Sequence, residues 1–349
     1  MTDPKYGPRD PLSAEQVAAA VAAVRADWTV LDIEPMPAGS DVVYGVTVRT
    51  GEGRRHEAVL KCFRADGPVD GHSPDRFLVE VDLLELLGDE TVVPVPEVYG
   101  VYRSRDRVPA PGFLMERLPG EPPFGVAVDG RRTAADRLLA DAGRYLARIH
   151  DLRSFDAHGA LVAGDDGPVV RRGRAAWSER LREIVDDSLD GLAETRFADL
   201  EGPLREYADT RLADLDLAAD AALLHGDYRP GNLLADAETG ELTGVLDWGA
   251  AQAGDPRYEL AWAVREFAER APVGSAARER VRKTLFDAYG DARGKSLERD
   301  GDFERRQSLY LAVTWMAECR WFDAWWGGAD ESAREARATT LRENVRALR

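Results

Sequence analysis

A chain of 349 residues is long enough for two domains and a well-buried core, and its 44% hydrophobic and 31% charged residues exclude a disordered chain. A formal net charge of −17 excludes a nucleic-acid binder, which needs a basic face to neutralise phosphates. No apolar run reaches the roughly 20 residues of a membrane helix, and the polar stretch Met1 to Pro11 lacks a signal peptide's hydrophobic segment, so a cytoplasmic address is expected.

The first helix is signalled by Ser13 with Gln16 three residues on, a capping-box pattern, ahead of Val17, Val21 and Val24 at helical spacing. β-type runs follow at Trp28 to Pro37, Val42 to Arg49 and His56 to Phe63, separated by the turns Gly39-Ser40-Asp41 and Gly51-Glu52-Gly53. A helix is expected from Pro74 to Leu87, with Phe77, Val81, Leu84 and Leu87 on one face. Two more strands are expected at Glu97 to Arg103 and Gly112 to Glu116. The Pro/Gly-rich stretch Leu118 to Pro123 then breaks the pattern and divides the chain into 1–118 and 119–349.

Beyond that break the chain turns helical. Thr133 to Asp151, Ala175 to Leu192 and Leu204 to Leu217 are expected helices, and Tyr258 to Leu348 is helical again. A short β-like insert, Leu223 to Trp248, interrupts them. The order is α+β, mixed at first and then mostly helical, with no repeat. Cys62 and Cys319 read as buried free thiols, and the five histidines lack ligand spacing, so any metal would rely on oxygen donors.

Chemistry concentrates in the insert. Leu223-Leu224 leads into His225-Gly226-Asp227-Tyr228-Arg229-Pro230-Gly231-Asn232, and Val245-Leu246 leads into Asp247-Trp248-Gly249. Apolar runs flanking both polar cores would hold Asp227, Asn232 and Asp247 at the mouth of a cleft. Asn232 and Asp247 offer hard oxygen ligands to Mg²⁺, and Asp227 remains to take a proton from a hydroxyl. Arg229 would set a fixed positive charge beside a transferring phosphoryl group.

The segments HGDYRPGN and VLDWG resemble the catalytic loop of the aminoglycoside phosphotransferase and choline kinase-like superfamily, H-G-D-x-x-x-x-N followed by hydrophobic residues and D-[FWY]. Gly-Asp-Pro at 254–256, opening a helix, is similar too, with Asp255 as its cap and brace. The resemblance runs over roughly residues 30 to 270 and lies nearest the acyl-CoA-dehydrogenase-linked phosphotransferase branch. It implies a bilobal protein-kinase-like fold, with a β-rich N-terminal lobe and a mostly helical C-terminal lobe. It also implies ATP and Mg²⁺ as cofactors and a small-molecule hydroxyl as acceptor. Asp227 would be the catalytic base, and Asn232 and Asp247 the metal ligands.

The N-terminal half supplies the remaining expected parts. Lys61 is a lone lysine inside the apolar strand Ala58 to Phe63, in a chain whose other lysines are Lys5, Lys283 and Lys295. The resemblance gives it the α/β-phosphates, with Glu80 as its carboxylate partner and Glu85 as the fallback. Phe113 to Gly120 resembles the hinge that holds adenine, through the C=O of Glu116 and the N–H of Leu118, with Met115 at the back wall. Gly39 and Ser40 would cover the phosphates, although the hairpin lacks G-x-G-x-x-G.

Gly290 to Ser296 looks like a phosphate-binding loop but is one residue short and follows a helix-like segment, so a helix end and surface loop is expected. Trp315, Trp321, Phe322, Trp325 and Trp326, near Glu318, Asp323 and Asp330, read foremost as core packing; they would alternatively wall a site for a cationic acceptor. A nucleotide-binding pseudokinase or scaffold is the rival reading, disfavoured by the intact Lys61, Asp227, Asn232 and Asp247. No A-P-E follows Asp247, which argues against a protein kinase.

Overall fold

The computed structural model describes residues 12–36, 41–64, 73–103 and 111–348. Helix α1 (Ala14–Val24) starts on the capping box: Ser13 Oγ accepts Gln16 N–H at 3.2 Å and Gln16 Oε1 accepts Ser13 N–H at 2.9 Å. Strands β1 (Thr29–Met36), β2 (Val42–Arg49) and β3 (Arg55–Cys62) follow, then α2 (Pro74–Glu90), β4 (Val98–Tyr102) and β5 (Gly112–Glu116). The five strands form one antiparallel sheet in the order β1-β2-β3-β5-β4.

Strand alternation decides what each face of this sheet carries. On β3, Ala58, Leu60 and Cys62 pack with Val17, Ala20 and Val21 of α1. Val59 and Phe63 point the other way, into a core shared with Phe77 and Leu84 of α2 and with Phe113 and Met115 of β5. Lys61 falls on that second face, 6% exposed. Helix α2 begins at Ser73, whose Oγ caps Arg76 N–H at 3.3 Å, with Pro74 in its first turn. Its buried stripe carries Glu80 among Phe77, Val81, Leu84 and Leu87.

The rest is mostly helix: α3 (Val126–Asp129) and α4 (Arg132–Leu152) come first. Three short strands then appear where none was expected: β6 (Ser154–Phe155), β7 (Gly159–Gly164) and β8 (Gly167–Val170). After α5 (Trp177–Asp190) and α6 (Glu201–Asp214) come β9 (Ala221–Leu224), β10 (Leu233–Ala235), β11 (Leu242–Val245) and β12 (Gln252–Gly254). Helices α7 (Pro256–Phe267), α8 (Ala276–Ala292), α9 (Gly301–Trp326) and α10 (Glu331–Arg346) complete the chain. The small strands assemble as β6-β9-β12-β7-β8 and as a β10-β11 hairpin. At two to six residues they are too short to show a period of their own, and β9 finds its partners only through chain reversals.

One apolar core joins the inner face of the large sheet to α4, α7 and α8, and a second joins α5, α6, α9 and α10. Gly290 to Ser296 is the end of α8 and its following turn, as expected. No helix among the described residues is long and apolar enough to cross a membrane.

Candidate functional site

Lys61 is the meeting point of three elements. Its Nζ lies 2.5 Å from Glu80 Oε2 on α2, 2.8 Å from Asp247 Oδ1 and 3.9 Å from Asp41 Oδ2 at the start of β2. Glu85, the fallback partner, faces solvent one turn on. Burial would lower the Lys61 pKa, but Asp247, Glu80 and Asp41 outweigh it and hold the ammonium charged. Glu80 moves the other way. Burial raises it, Lys61 opposes, and Asp247 and Asp41 add to the rise, so its carboxyl is pushed up to about 7. Asp247 is raised by burial and lowered more strongly by Lys61, ending below the usual carboxylate range.

The second cluster is the loop after β9. Gly226 has φ +82°, and a Cβ there would meet Ala250 O at 2.1 Å, so only glycine fits. His225 Nε2–H donates to Leu246 O at 2.9 Å, while its Nδ1 accepts Asp227 N–H at 3.2 Å. Asp227 Oδ2 accepts Arg229 Nε–H at 2.9 Å and Asn232 Nδ2–H at 2.8 Å, and Asn232 Nδ2 also donates to Asp227 O. Leu246 N–H donates to Asn232 O at 2.8 Å, which ties this loop to the residue preceding Asp247.

Asp247 itself sits at φ +64°, ψ +68°, a left-handed conformation unusual for a residue other than glycine. The bond to Lys61, and Trp248 fully buried behind it, hold it there. Arg76 of α2 donates from Nε to Gly249 O at 3.1 Å and fastens the same loop from the other side.

Sequence reasoning missed Glu259. On the first turns of α7, 2% exposed, it accepts His225 N–H at 3.0 Å, Gly226 N–H at 2.6 Å and His150 Nε2 at 2.9 Å. Burial raises its pKa, but the bond and charge of His150, with His225 and Gly226 N–H, bring it below the ordinary value. Its signal was its place in the run Gly254-Asp255-Pro256-Arg257-Tyr258-Glu259, one turn into a helix whose cap had been recognised. Asp255 is that cap, accepting Arg257 N–H at 2.9 Å and Tyr310 Oη–H at 2.6 Å.

The residues expected at the hinge lie on β5 and just after it. Met115 pairs with Val59 and Glu116 with Ala58 across β3 and β5, and Leu118 follows, packed against Gly244. Gly39 and Ser40 lie outside the described residues.

Residues 32–301 match the family described as Phosphotransferase enzyme family. The chain belongs to it. Viomycin phosphotransferase of Streptomyces vinaceus is 27% identical over 284 residues, 77% of this chain and 88% of that protein. A protein named as an acyl-CoA dehydrogenase in Arabidopsis thaliana is 26% identical over 202 residues, 56% of this chain but only 23% of that longer protein. The GDP complex of wild-type aminoglycoside 2'-phosphotransferase-IIIa shares the fold, with a TM-score of 0.61 at 15% identity over 96% of this chain and 99% of that one.

Within this phosphotransferase fold the donor set fits magnesium. Asn232 spends its amide nitrogen on Asp227 and leaves its amide oxygen available, and the Asp247 side chain keeps 38% exposure. Among the described residues no group of three or more His, Cys, Asp or Glu side chains could hold a metal unaided. Two hard oxygen donors suit an ion that takes its other ligands from phosphate and water.

Of the aromatic residues near the C-terminus, Trp315 and Phe322 resolve as core, while Trp321, Trp325 and Trp326 are half-buried. Trp315 and Phe322 are 2% and 1% exposed. The nearby acids are committed elsewhere: Glu318 bonds Arg265 at 2.6 Å and Arg337 at 2.6 and 2.7 Å, Asp323 pairs with Arg334, and Asp330 caps α10. Each of these carboxylates therefore already has a structural partner.

Proposed function

We propose that this chain transfers the γ-phosphoryl group of ATP to a hydroxyl of a small molecule. The observation that carries the reading is the ion cluster joining Lys61, Glu80 and Asp247 across 186 residues of sequence, bonded through Leu246 to the loop of Asp227 and Asn232. A buried lysine held charged, with its end at the cleft, is an anchor for phosphates. Asn232 and Asp247 would hold the metal, which would supply positive charge to offset that of the phosphates.

Asp227 orients the acceptor. Arg229 and Asn232 both bond its Oδ2, fixing the carboxylate and leaving Oδ1 to receive a proton. As the acceptor oxygen bonds to the γ-phosphorus, the bridging P–O bond breaks, ADP leaves, and the hydroxyl proton passes to Asp227. Adenine lies against Met115 with Glu116 C=O and Leu118 N–H as its backbone partners. An ATP-dependent reaction agrees with the expected cytoplasmic address.

The test is a MgATP thermal-shift titration paired with ADP release over a panel of hydroxyl acceptors. Asp227→Ala is expected to lose about 10²–10⁴-fold in turnover while MgATP still stabilises it. Asp247→Ala should lose the magnesium-dependent stabilisation itself. Full turnover in Asp227→Ala would sink the assignment of the base.

A further inference from the structure

Against residues 229–231 of the loop lies a cavity of about 470 Å³, within the size range of small-molecule sites. It is closed by the segment around α3, by Arg229, Pro230 and Gly231, by the end of α7, and by one face of α10. Arg229 connects it to the chemistry, since this side chain lines the cavity and bonds Asp227 at 2.9 Å. The cavity is one side chain away from the proposed base.

Its lining is largely apolar. Phe124, Phe267 and Trp326 supply aromatic surface, and Ala333 and Ala336 keep α10 from filling the space. The charged lining residues are three arginines, Arg229, Arg270 and Arg337, against two glutamates, Glu266 and Glu269. Both glutamates already have arginine partners: Glu266 pairs with Arg265, and Glu269 lies 3.8 Å from Arg337. Arg265 is only 3% exposed, so drawing Glu266 away would leave a buried cation undercompensated.

A polycation needs several carboxylates whose charge is not already matched, and this cavity offers none among its described lining residues. An apolar body gains by displacing water from the aromatic walls. The lining arginines are matched as well, Arg229 by Asp227, Arg270 by Asp129 and Arg337 by Glu318, so the cavity offers no unmatched charge of either sign to its occupant.

Resting on the phosphotransfer reading above, we propose that this cavity is the acceptor site. We propose further that it takes a neutral hydroxyl compound with a largely apolar body, in place of a polycationic amino sugar. The transfer is then that already described, giving ADP and a phosphate monoester.

The experiment compares 1,10-decanediol, 10-hydroxydecanoate and kanamycin as acceptors with MgATP, read as ADP release and phosphate-ester formation. Turnover of the diol is expected, with kcat/KM at least tenfold above those for 10-hydroxydecanoate and kanamycin. Ala336→Trp, which fills the cavity from an exposed helix position, should raise the KM of the diol at least tenfold. Thr339→Trp, on α10 outside the cavity lining, should leave it unchanged. If Ala336→Trp lowers the melting temperature, Ala333→Leu serves in its place.

Preferential phosphorylation of kanamycin or of the hydroxy acid, no turnover of the diol, or an unchanged KM in the filled variants would overturn the proposal. MgATP stabilisation read beforehand separates the failures. Its absence sinks the phosphotransfer reading together with the inference, whereas its presence alongside any of those outcomes sinks the inference alone.

Discussion

At Lys61 one cation faces three carboxylates, and the arithmetic of charge leaves one of them better off protonated. Glu80 is the most buried and takes the proton, its pKa raised by burial to about 7 against an ordinary 4.5. The folded protein therefore holds more protons than the unfolded chain between those values. Stability is greatest below about 4.5 for this group and is lost as pH rises through about 7. Glu80→Gln should flatten that slope, by up to about 3 kcal/mol between about pH 5 and about pH 8 in urea unfolding. An unaltered slope would mean that another group carries the titration. Lys61 was legible in the sequence because a lysine in an apolar strand is conspicuous in so lysine-poor a chain. Asp41 was not, since nothing local says that the residue just before β2 turns toward an ammonium on the neighbouring strand.

Between elements, the loop from His225 to Asn232 is held by α7 as well as by its own bonds. Glu259 takes two consecutive amides, His225 and Gly226, and orients the residue before Asp227. Glu259→Gln keeps the shape but turns an NH₂ toward one of those N–H groups. That leaves a buried donor unpaired, at a cost of about 1–3 kcal/mol. With Asp227 displaced, kcat should fall by roughly 10²-fold while MgATP affinity changes little. Equal loss of kcat and of MgATP binding would instead mark a general loosening of the fold. The loop's internal bonds, from Asp227 to Asn232 and Arg229, span five residues or fewer, and so its geometry could be anticipated from Pro230 and Gly231 alone.

Across the whole molecule, the ion pairs of Glu318 decide how the last helices close the proposed acceptor cavity. This carboxylate, 1% exposed on α9, holds Arg265 of α7 and Arg337 of α10 together. Removing its charge leaves two buried guanidinium groups short of a partner, and Glu318→Leu should destabilise the protein by about 3–5 kcal/mol in urea unfolding. A change below about 1 kcal/mol would show that these arginines repair their pairing with Glu266 and Glu269. The sequence reading set Glu318 beside aromatic residues as a candidate cation ligand. Only the packing of α9 against α7 and α10 shows that the arginines arrive first.

What the sequence by itself determined was local: the capping box at Ser13, the strand holding Lys61, the buried stripe of α2, and the loop from His225 to Asn232 with Asp247 beyond it. Each rests on a period or a turn contained within a few residues. The choice of Glu80 over Glu85, the roles of Glu259 and Arg76, the strands β6 to β8 and the neutralised cavity came only from the tertiary structure. Those features depend on which groups meet after the chain has reversed, from 19 residues apart for Lys61 and Glu80 to 173 for Arg76 and Gly249. A local pattern shows which face of an element is buried, but not which opposing charge or carbonyl will be waiting there.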